Sequence, residues 1–250
     1  MNDLKGGRYA LKVLLAEYRR NRDEVGLLQH EHQVGCKLNN PRVITIYEYG
    51  IDHDNVYLGM ELYQAPNIKQ VINQGVEVLA PILGKVIEQA AEGLAYFHSQ
   101  GWVHRDIKPD NYLMNPAGEV KLIDFALAQP LRAGLLSRLM PRSKKIQGTR
   151  SYMSPEQIRS QRLDERADVY SFGCMVHELV GGKPPFTGTS TNDLLTKHLS
   201  AGPPPLQASN RNVTDAFAQL VRRMLSKNPK DRPATMDMVL RELRGMTVLK

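Results

Sequence analysis

The chain has 250 residues, of which 42% are hydrophobic and 24% charged, and its formal net charge is +7. This composition is typical of a globular protein and excludes a fibrous or low-complexity chain. No run reaches the roughly 18 apolar residues of a membrane span, and the N-terminus lacks the apolar region of a signal peptide, so we expect a cytoplasmic protein. The two cysteines, without a Cys-x-x-Cys motif or a histidine cluster, argue against a disulfide framework or a zinc site.

The first part of the chain is predicted to form strands and one helix. Alternating apolar residues predict the strands, and the helix carries its apolar residues at helical spacing before a break at Pro41. In chain order these elements are a strand at residues 8–15, a helix at 21–38, and strands at 43–49 and 55–62.

After Pro66 the pattern becomes mainly helical. The strongest helix covers residues 79–100, where apolar side chains recur every three or four residues until Gly101. The remaining elements are strands at 112–114 and 120–123, an irregular segment at 127–147, and helices at 168–180, 192–200, 214–226 and 235–243. We therefore expect an α+β fold, with a small strand-rich lobe and a larger helical lobe that meet near residues 60–64.

The strongest chemical signal is the sequence HRDIKPDN at residues 104–111, followed by Asp124 and Phe125. A single aspartate is usually a solvated turn residue, but an HRD triplet, an asparagine and a later Asp-Phe pair in this order are improbable by chance. The pattern resembles the eukaryotic-type protein kinase family, and the resemblance extends over essentially the whole chain. It implies a two-lobed kinase fold, with a partial N-terminal lobe at residues 1–62 and a C-terminal lobe at residues 63–250.

The resemblance implies transfer of the γ-phosphate of ATP, with Mg²⁺ as cofactor, to a Ser or Thr hydroxyl of a protein substrate. Asp106 would accept or orient the hydroxyl proton. Lys108, which is similar to the lysine of Ser/Thr kinases, would contact the transferred phosphate as a point charge. Asn111 and Asp124 would supply the hard oxygen ligands that Mg²⁺ prefers. We interpret His104 as a packed core residue.

A second group of candidate residues lies in the small lobe. Lys12 follows Ala10 and Leu11 in the first strand, and Glu31 lies nineteen residues further on, in the predicted helix. A strand lysine can also lie incidentally along apolar surface. This spacing, however, resembles the family's lysine that binds the α- and β-phosphates and the glutamate that orients it. We interpret the neighbouring Glu24 as a solvated residue on the helix surface.

The sequence YLGMELY resembles the strand that enters the hinge between the lobes, where backbone groups pair with adenine. The resemblance places Met60 at the gatekeeper position, and Glu61 and Tyr63 in the hinge. It places Ala10 and Leu113 on opposite sides of the adenine ring. These apolar residues are equally compatible with an ordinary role in the core.

The sequence GTRSYMSPE at residues 148–156 resembles the end of a kinase activation segment. The resemblance implies an ion pair between Glu156 and Arg232, and it implies that Asp168 braces the backbone of the catalytic loop. It also implies that Thr149 helps the catalytic loop to receive Ser or Thr.

The excess positive charge is concentrated between residues 127 and 150, where six basic residues and no acidic residue occur. Such a segment is often simply solvated, but it could bind an acidic protein substrate, a nucleic acid or a phosphate group of its own. It has no interleaved aromatic residues, so we expect no nucleic-acid partner. Our hypothesis is that Ser137 or Ser143 is autophosphorylated.

The sequence departs from the family pattern in three places. No Gly-x-Gly-x-x-Gly loop precedes the strand of Lys12, which we attribute to a truncated start. Ala126 replaces the glycine that usually follows Asp-Phe, and Gly35 replaces a larger apolar residue, which we expect to leave a gap beside Phe125. The alternatives to an active protein kinase are a pseudokinase scaffold and a small-molecule kinase on the same fold, although the Ser-Pro-Glu motif favours a protein substrate.

Overall fold

The computed structural model describes residues 7–131 and 149–250. The two hypothetical phosphorylation sites, Ser137 and Ser143, and nearly all of the basic segment lie outside the described residues. The described chain forms a small lobe built on an antiparallel sheet and a larger, mainly helical lobe. None of its helices, within these two ranges, combines the length and the hydropathy that a membrane-spanning segment requires.

From residue 7 onward, where the structure describes it, the small lobe contains three strands and one α-helix, close to the predicted arrangement. Their bounds are β1 Tyr9–Val13, α1 Arg22–Gly35, β2 Ile46–Asp52 and β3 Asn55–Glu61. The sheet order is β1-β3-β2 and both pairs are antiparallel, so β3 lies in the centre. Ala10 lies opposite Met60 and Lys12 opposite Leu58, and the alternation of a strand places these four side chains on one face.

In the described residues, the large lobe contains eight α-helices and four short strands. The helices are α2 Ile68–Ile72, α3 Leu83–Ser99, α4 Pro155–Ile158, α5 Glu165–Gly181, α6 Thr191–Ser200, α7 Leu206–Ser209, α8 Asp215–Met224 and α9 Met236–Arg244. The strands are β4 Trp102–Val103, β5 Tyr112–Met114, β6 Val120–Leu122 and β7 Gln129–Pro130. Strand β4 pairs with β7, and β5 pairs with β6.

Helix α5 forms the centre of the large lobe, since nearly all of its residues are buried. Its start is capped by the side chain of Asp164, which accepts the N–H of Arg166. Its end is followed by Gly182, whose φ of 76° is the left-handed conformation that favours glycine. Helices α3 and α8 pack against it. The buried helix thus provides a fixed base for the loops that carry the candidate site.

The long helix of the large lobe begins later than the sequence predicted. The predicted span, residues 79–100, includes Pro81, which has no backbone N–H to donate. The chain therefore forms a 3-10 helix over Val76–Ile82, and the α-helix starts at Leu83.

The second strand also begins later than predicted, at Ile46 rather than at residue 43. Val43 instead forms a bridge with Leu122 of β6, and the N–H of Ile44 donates to the Leu122 carbonyl at 2.9 Å. These bonds connect the small lobe directly to the strand that precedes Asp124.

Candidate active site

The HRD loop follows β4 and is held from below by Asp168 of α5. This fully buried carboxylate accepts the N–H of His104 at 2.6 Å and the N–H of Arg105 at 2.8 Å. His98 contacts the same carboxylate at 2.9 Å. Burial alone would raise the pKa of Asp168, but the hydrogen bond and charge of His98 outweigh it and lower that pKa. Arg105 has a φ of 73°, a strained conformation that such surrounding bonds must hold.

Asp106 lies at the centre of the site, and both of its carboxylate oxygens are engaged. Its Oδ1 accepts the N–H of Thr149 at 2.9 Å, while its Oδ2 lies 2.7 Å from Nζ of Lys108 and 3.2 Å from the amide nitrogen of Asn111. Burial alone would raise the pKa of Asp106, but the hydrogen bond and charge of Lys108 outweigh it and lower that pKa. Asp106 is therefore ionised at neutral pH and can accept a proton.

Lys108 joins the two chain segments that border Asp106. Its Nζ contacts Asp106 and also donates to Oγ1 of Thr149 at 2.7 Å. Thr149 is therefore bound to the catalytic loop through both its backbone N–H and its hydroxyl. Lys108 and Thr149 therefore both border the Asp106 carboxylate.

The two candidate Mg²⁺ ligands lie on adjacent segments. The carbonyl of Asn111 accepts the N–H of Ile123 at 2.9 Å, which places Asp124 beside the catalytic loop. Both contacts of the Asn111 amide with Asp106 use the amide nitrogen, so the amide oxygen is left for a ligand. Amide and carboxylate oxygens suit Mg²⁺. In the part of the chain that the structure describes, no cluster of three or more His, Cys, Asp or Glu forms an alternative metal site.

Lys12 connects the small lobe to this site. Its Nζ lies 2.7 Å from Oε2 of Glu31 and 3.4 Å from Oδ1 of Asp124. The side chain of Glu31 is 3% exposed and that of Lys12 is 42% exposed, so the pair is anchored at α1 and open to solvent at the lysine. Burial alone would lower the pKa of Lys12, but the two carboxylates outweigh it and raise that pKa. The ammonium of Lys12 is therefore kept charged and held beside Glu31, and it is partly open to solvent.

The apolar residues predicted to enclose an adenine ring lie on both lobes. Ala10 of β1 and Met60 of β3 are opposite each other in the small sheet. Leu113 is a half-buried residue of β5 in the large lobe, where it pairs with Lys121. Ala10 and Leu113 thus belong to opposite lobes, as a ring held between them would require.

The side chains of the two predicted hinge residues are already occupied. The carboxylate of Glu61 lies 2.9 Å from Nζ of Lys121, and the hydroxyl of Tyr63 donates to the carbonyl of Glu119 at 3.0 Å. Lys121 also lies over the Tyr63 ring, 5.5 Å from its centroid. Contacts of this segment with an adenine ring would therefore use its backbone groups.

Comparison with known proteins identifies the family. The family described as "Protein kinase domain" matches residues 1–243, almost the whole chain. The chain belongs to the protein kinase domain family. This agrees with the two-lobed α+β fold and with the resemblance carried by the HRD and Asp-Phe motifs.

The curated relatives of this kinase domain include bacterial serine/threonine-protein kinases. The chain is 36% identical to the serine/threonine-protein kinase PknL of Mycobacterium bovis, over 90% of this chain and 55% of that protein. It is 30% identical to the serine/threonine-protein kinase pkn3 of Myxococcus xanthus, over 94% and 44% of the two chains. It is 30% identical to the serine/threonine-protein kinase PknB of Mycobacterium tuberculosis, over 90% and 36%. The chain thus spans about half the length of these relatives, or less.

The gap expected beside Gly35 of this kinase domain is filled, so that prediction was wrong. A Cβ at position 35 would lie 2.3 Å from Cδ1 of Ile46 and 3.0 Å from a ring carbon of Phe125. The side chain of Ile46 therefore takes the space that a larger residue at position 35 would need. Phe125 is fully buried and stacks on Phe97 with centroids 5.4 Å apart, and His104 packs against both rings, as interpreted from the sequence.

Two contacts that hold the start of the activation segment were not predicted. Nε2 of His30 donates to the carbonyl of Ala128 at 2.8 Å, and the guanidinium of Arg105 donates to the carbonyl of Leu127 at 3.4 Å. His30 directly precedes Glu31 in the sequence. This adjacency is the signal that could have pointed to the contact between His30 and Ala128. The helix that carries Glu31 is therefore bonded to the segment that follows Asp124.

Ion pairs formed by two buried carboxylates support the far end of the activation segment. Arg232 contacts Glu156 through two bonds of 2.6 and 3.0 Å, which is the pair that the resemblance implied. The fully buried Glu178 of α5 contacts Lys69 of α2 and accepts the hydroxyl of Tyr152 at 2.5 Å. The contact between Lys69 and Glu178 was not predicted, because no spacing pattern links residues 109 positions apart.

Proposed function

We propose that this kinase domain transfers the γ-phosphate of ATP to Ser or Thr hydroxyls of protein substrates, with Mg²⁺ as cofactor. The observation that carries the proposal is the 3.4 Å contact between Lys12 of the small lobe and Asp124 of the large lobe. This contact joins the Lys12–Glu31 pair to the segment that lies beside Asp106 and Asn111. The names of the curated relatives also support a Ser/Thr protein kinase.

The first half of the mechanism is the binding of the nucleotide. Lys12, held by Glu31, would bind the α- and β-phosphates as a fixed positive charge. Asn111 and Asp124 would hold Mg²⁺, which when bound neutralises charge on the phosphate oxygens. The backbone of the hinge would pair with adenine, with Ala10 and Leu113 on the two faces of the ring. These residues therefore bind and orient ATP.

The second half is the transfer itself, which depends on positioning and electrostatics more than on covalent help. The ionised Asp106 would accept or orient the proton of the substrate hydroxyl. Lys108, which lies between Asp106 and Thr149, would stabilise negative charge on the transferred phosphoryl group. The Lys108–Thr149 contact supports a Ser or Thr substrate, since the resemblance to Ser/Thr kinases rests on these positions.

Labelled phosphoryl transfer tests this function. Wild-type protein and an Asp106→Asn variant are incubated with γ-labelled Mg·ATP and a general protein substrate, and the labelled amino acids are then identified. We expect phosphoserine or phosphothreonine from the wild type and a rate at least about 10²-fold lower from Asp106→Asn, which removes the proton acceptor. Asp215→Asn, an exposed carboxylate on α8 that contacts Gln207, is the matched control and should keep the wild-type rate.

Equal rates from the wild type and Asp106→Asn would contradict the role of Asp106. Binding of Mg·ATP by the wild type without any transfer would contradict the proposed activity and support a scaffold instead. Phosphotyrosine as the main product would contradict the proposed substrate class.

A further inference from the structure

A fully buried carboxylate, Glu178 of α5, lies between helix α2 and the end of the activation segment. Each of its two oxygens has its own partner. Oε1 contacts Nζ of Lys69, and Oε2 accepts the hydroxyl of Tyr152 at 2.5 Å. The side chain of Glu178 is 0% exposed and that of Lys69 is 34% exposed, so the ion pair joins the core of the large lobe to its surface.

Lys69 extends from a backbone that is fixed on two sides. Helix α2 is short, but it begins with a capping box, in which the side chains of Asn67 and Gln70 each accept the backbone N–H of the other residue. The N–H of Met114 donates to the carbonyl of Pro66 at 2.9 Å, and this bond attaches the start of α2 to β5. The ammonium of Lys69 is therefore held near Glu178 by a rigid support.

Tyr152 is connected to the catalytic loop through the backbone of its own turn. It is the last residue of the 3-10 turn Arg150–Tyr152, and its N–H donates to the carbonyl of Thr149 at 3.0 Å. The N–H of Thr149 donates to Oδ1 of Asp106 at 2.9 Å, and the Thr149 hydroxyl accepts from Lys108 at 2.7 Å. A displacement of Tyr152 would therefore shift the residue that borders the Asp106 carboxylate.

The hydrogen bond between Tyr152 and Glu178 depends on Lys69. A buried carboxylate without a cation is strongly unfavourable, and it takes up a proton or turns towards water instead. The ammonium of Lys69 balances this charge, and a charged acceptor gives the Tyr152 hydroxyl a stronger hydrogen bond than a neutral acceptor would. A buried ion pair adds little to stability by itself, because desolvation opposes the attraction. The directional contacts of Glu178 are therefore what an apolar core would lack.

We propose that Lys69 is a positioning residue for the protein substrate: its ammonium holds the Glu178 carboxylate, which fixes Tyr152 and thereby the contact of Thr149 with the catalytic loop. The inference rests on the proposed kinase function, since the substrate hydroxyl is received at Asp106.

The effect of Lys69 is on the protein substrate and not on ATP. Within residues 7–131 and 149–250, the side chains of Lys69 and Glu178 form no hydrogen bond or ion pair with the nucleotide-binding residues Lys12, Asn111 and Asp124. The contacts of the pair lead instead to the Arg150–Tyr152 turn, on the side of the site where the protein substrate binds.

The experiment compares Lys69→Met, Lys69→Arg and Tyr152→Phe with the wild type. Lys69→Met removes the charge and keeps an unbranched side chain, Lys69→Arg keeps the charge, and Tyr152→Phe removes one oxygen and keeps the ring. The matched control is Lys85→Met, which alters an exposed lysine of α3 whose Nζ donates to the carbonyl of Ala117 at 2.7 Å.

Two measurements are made on each variant. Initial rates give KM for a protein substrate and KM for ATP. Hydrogen exchange of the residue 152 amide, which donates to the Thr149 carbonyl, reports on the turn without requiring activity. The Leu225 amide, which donates to the Val221 carbonyl at 3.1 Å at the end of α8, is the internal reference for overall stability.

We expect Lys69→Met and Tyr152→Phe each to speed exchange of the residue 152 amide and to raise KM for the protein substrate by about 3- to 10-fold, the effect of one net hydrogen bond. KM for ATP should stay within about twofold of the wild-type value, because the nucleotide-binding side chains are unchanged. Lys69→Arg should recover part of both effects, and Lys85→Met should show neither. Since Lys69 acts through the Tyr152 hydroxyl, the double variant should raise KM for the protein substrate by less than the product of the two single effects.

Unchanged exchange at residue 152 in Lys69→Met would overturn the inference, as would an equal rise in both KM values. Faster exchange to the same extent at Leu225 would also overturn it, because the role of Lys69 would then be overall stability. If Lys69→Met does not fold, Lys69→Gln, which keeps a donor and removes only the charge, is measured instead and should still show both increases. If the wild type transfers no phosphate, the proposed function fails, and the exchange measurement alone still decides whether Lys69 positions the turn.

Discussion

Replacement of Glu156 by Gln should destabilise the kinase domain strongly, because it leaves a buried guanidinium without its anion. The side chains of Arg232 and Glu156 are 0% and 6% exposed, and the two contacts between them measure 2.6 and 3.0 Å. Arg232 also donates to the backbone carbonyls of Ser226, Arg166 and Lys227. Gln has nearly the shape of Glu, so the variant removes the negative charge with little change in packing.

The expected magnitude follows from the burial of the pair. Removing one member of a buried ion pair costs about 3–5 kcal/mol. In a chain of this size each kcal/mol lowers Tm by roughly 2–4 °C, so the Tm of Glu156→Gln should fall by about 6–20 °C. The matched control is Glu242→Gln, whose partner Arg223 is 49% exposed. An exposed pair contributes about 0–1 kcal/mol, so this control should shift Tm by at most about 4 °C.

Thermal unfolding of both variants, followed by circular dichroism in one buffer, measures the difference. A double variant, Glu156→Leu with Arg232→Met, should regain part of the lost stability, because apolar residues of similar size often replace a buried ion pair without loss. Equal Tm values for Glu156→Gln and Glu242→Gln would refute the reasoning from burial.

Three further predictions concern other parts of the molecule. Burial opposes charge on His98, but the Asp168 and Glu165 carboxylates outweigh it and raise its pKa from 6.5 to about 9. The free energy of unfolding should therefore be greatest below pH 6.5 and fall as the pH rises through about 9, and urea titrations of His98→Gln should lack this fall. Gly35→Leu should lower the free energy of unfolding by about 1–3 kcal/mol, because the Ile46 side chain fills the space beside residue 35. Adding Ile46→Ala to this variant should restore part of the loss, as measured by urea unfolding. Lys12→Met should raise KM for ATP more than KM for the protein substrate in initial-rate measurements.

Much of the fold could be predicted from local patterns in the sequence. Helix α1 was expected at residues 21–38 and spans Arg22–Gly35, because its apolar spacing and the Asn21 cap are local features. The two-residue strands β4 and β7 were not predicted, because such short pairs have no periodicity of their own. Ile46 lies beside Gly35 because of the way β2 packs against α1. The sequence pattern of neither element predicts this packing.

The same distinction between local sequence patterns and contacts of distant segments applies to the candidate site. Residues within one motif, such as Asp106, Lys108 and Asn111, could be named because the chemistry needs them close together in the sequence. Contacts between distant segments could be predicted only where the family resemblance implied them, as for Glu156 with Arg232. The contacts of Tyr170 with Lys227 and His198 were not predicted, since the three residues come from separate parts of the large lobe.

The convergence of both lobes on one nucleotide is tested most directly by calorimetric titration of ATP. Wild-type protein, Lys12→Met and Asp124→Asn are each titrated with ATP, with and without Mg²⁺. The wild type should bind ATP more tightly when Mg²⁺ is present, Asp124→Asn should lose this difference, and Lys12→Met should bind more weakly in both conditions. Wild-type affinity in both variants would contradict the account, because the two side chains would then face no common ligand.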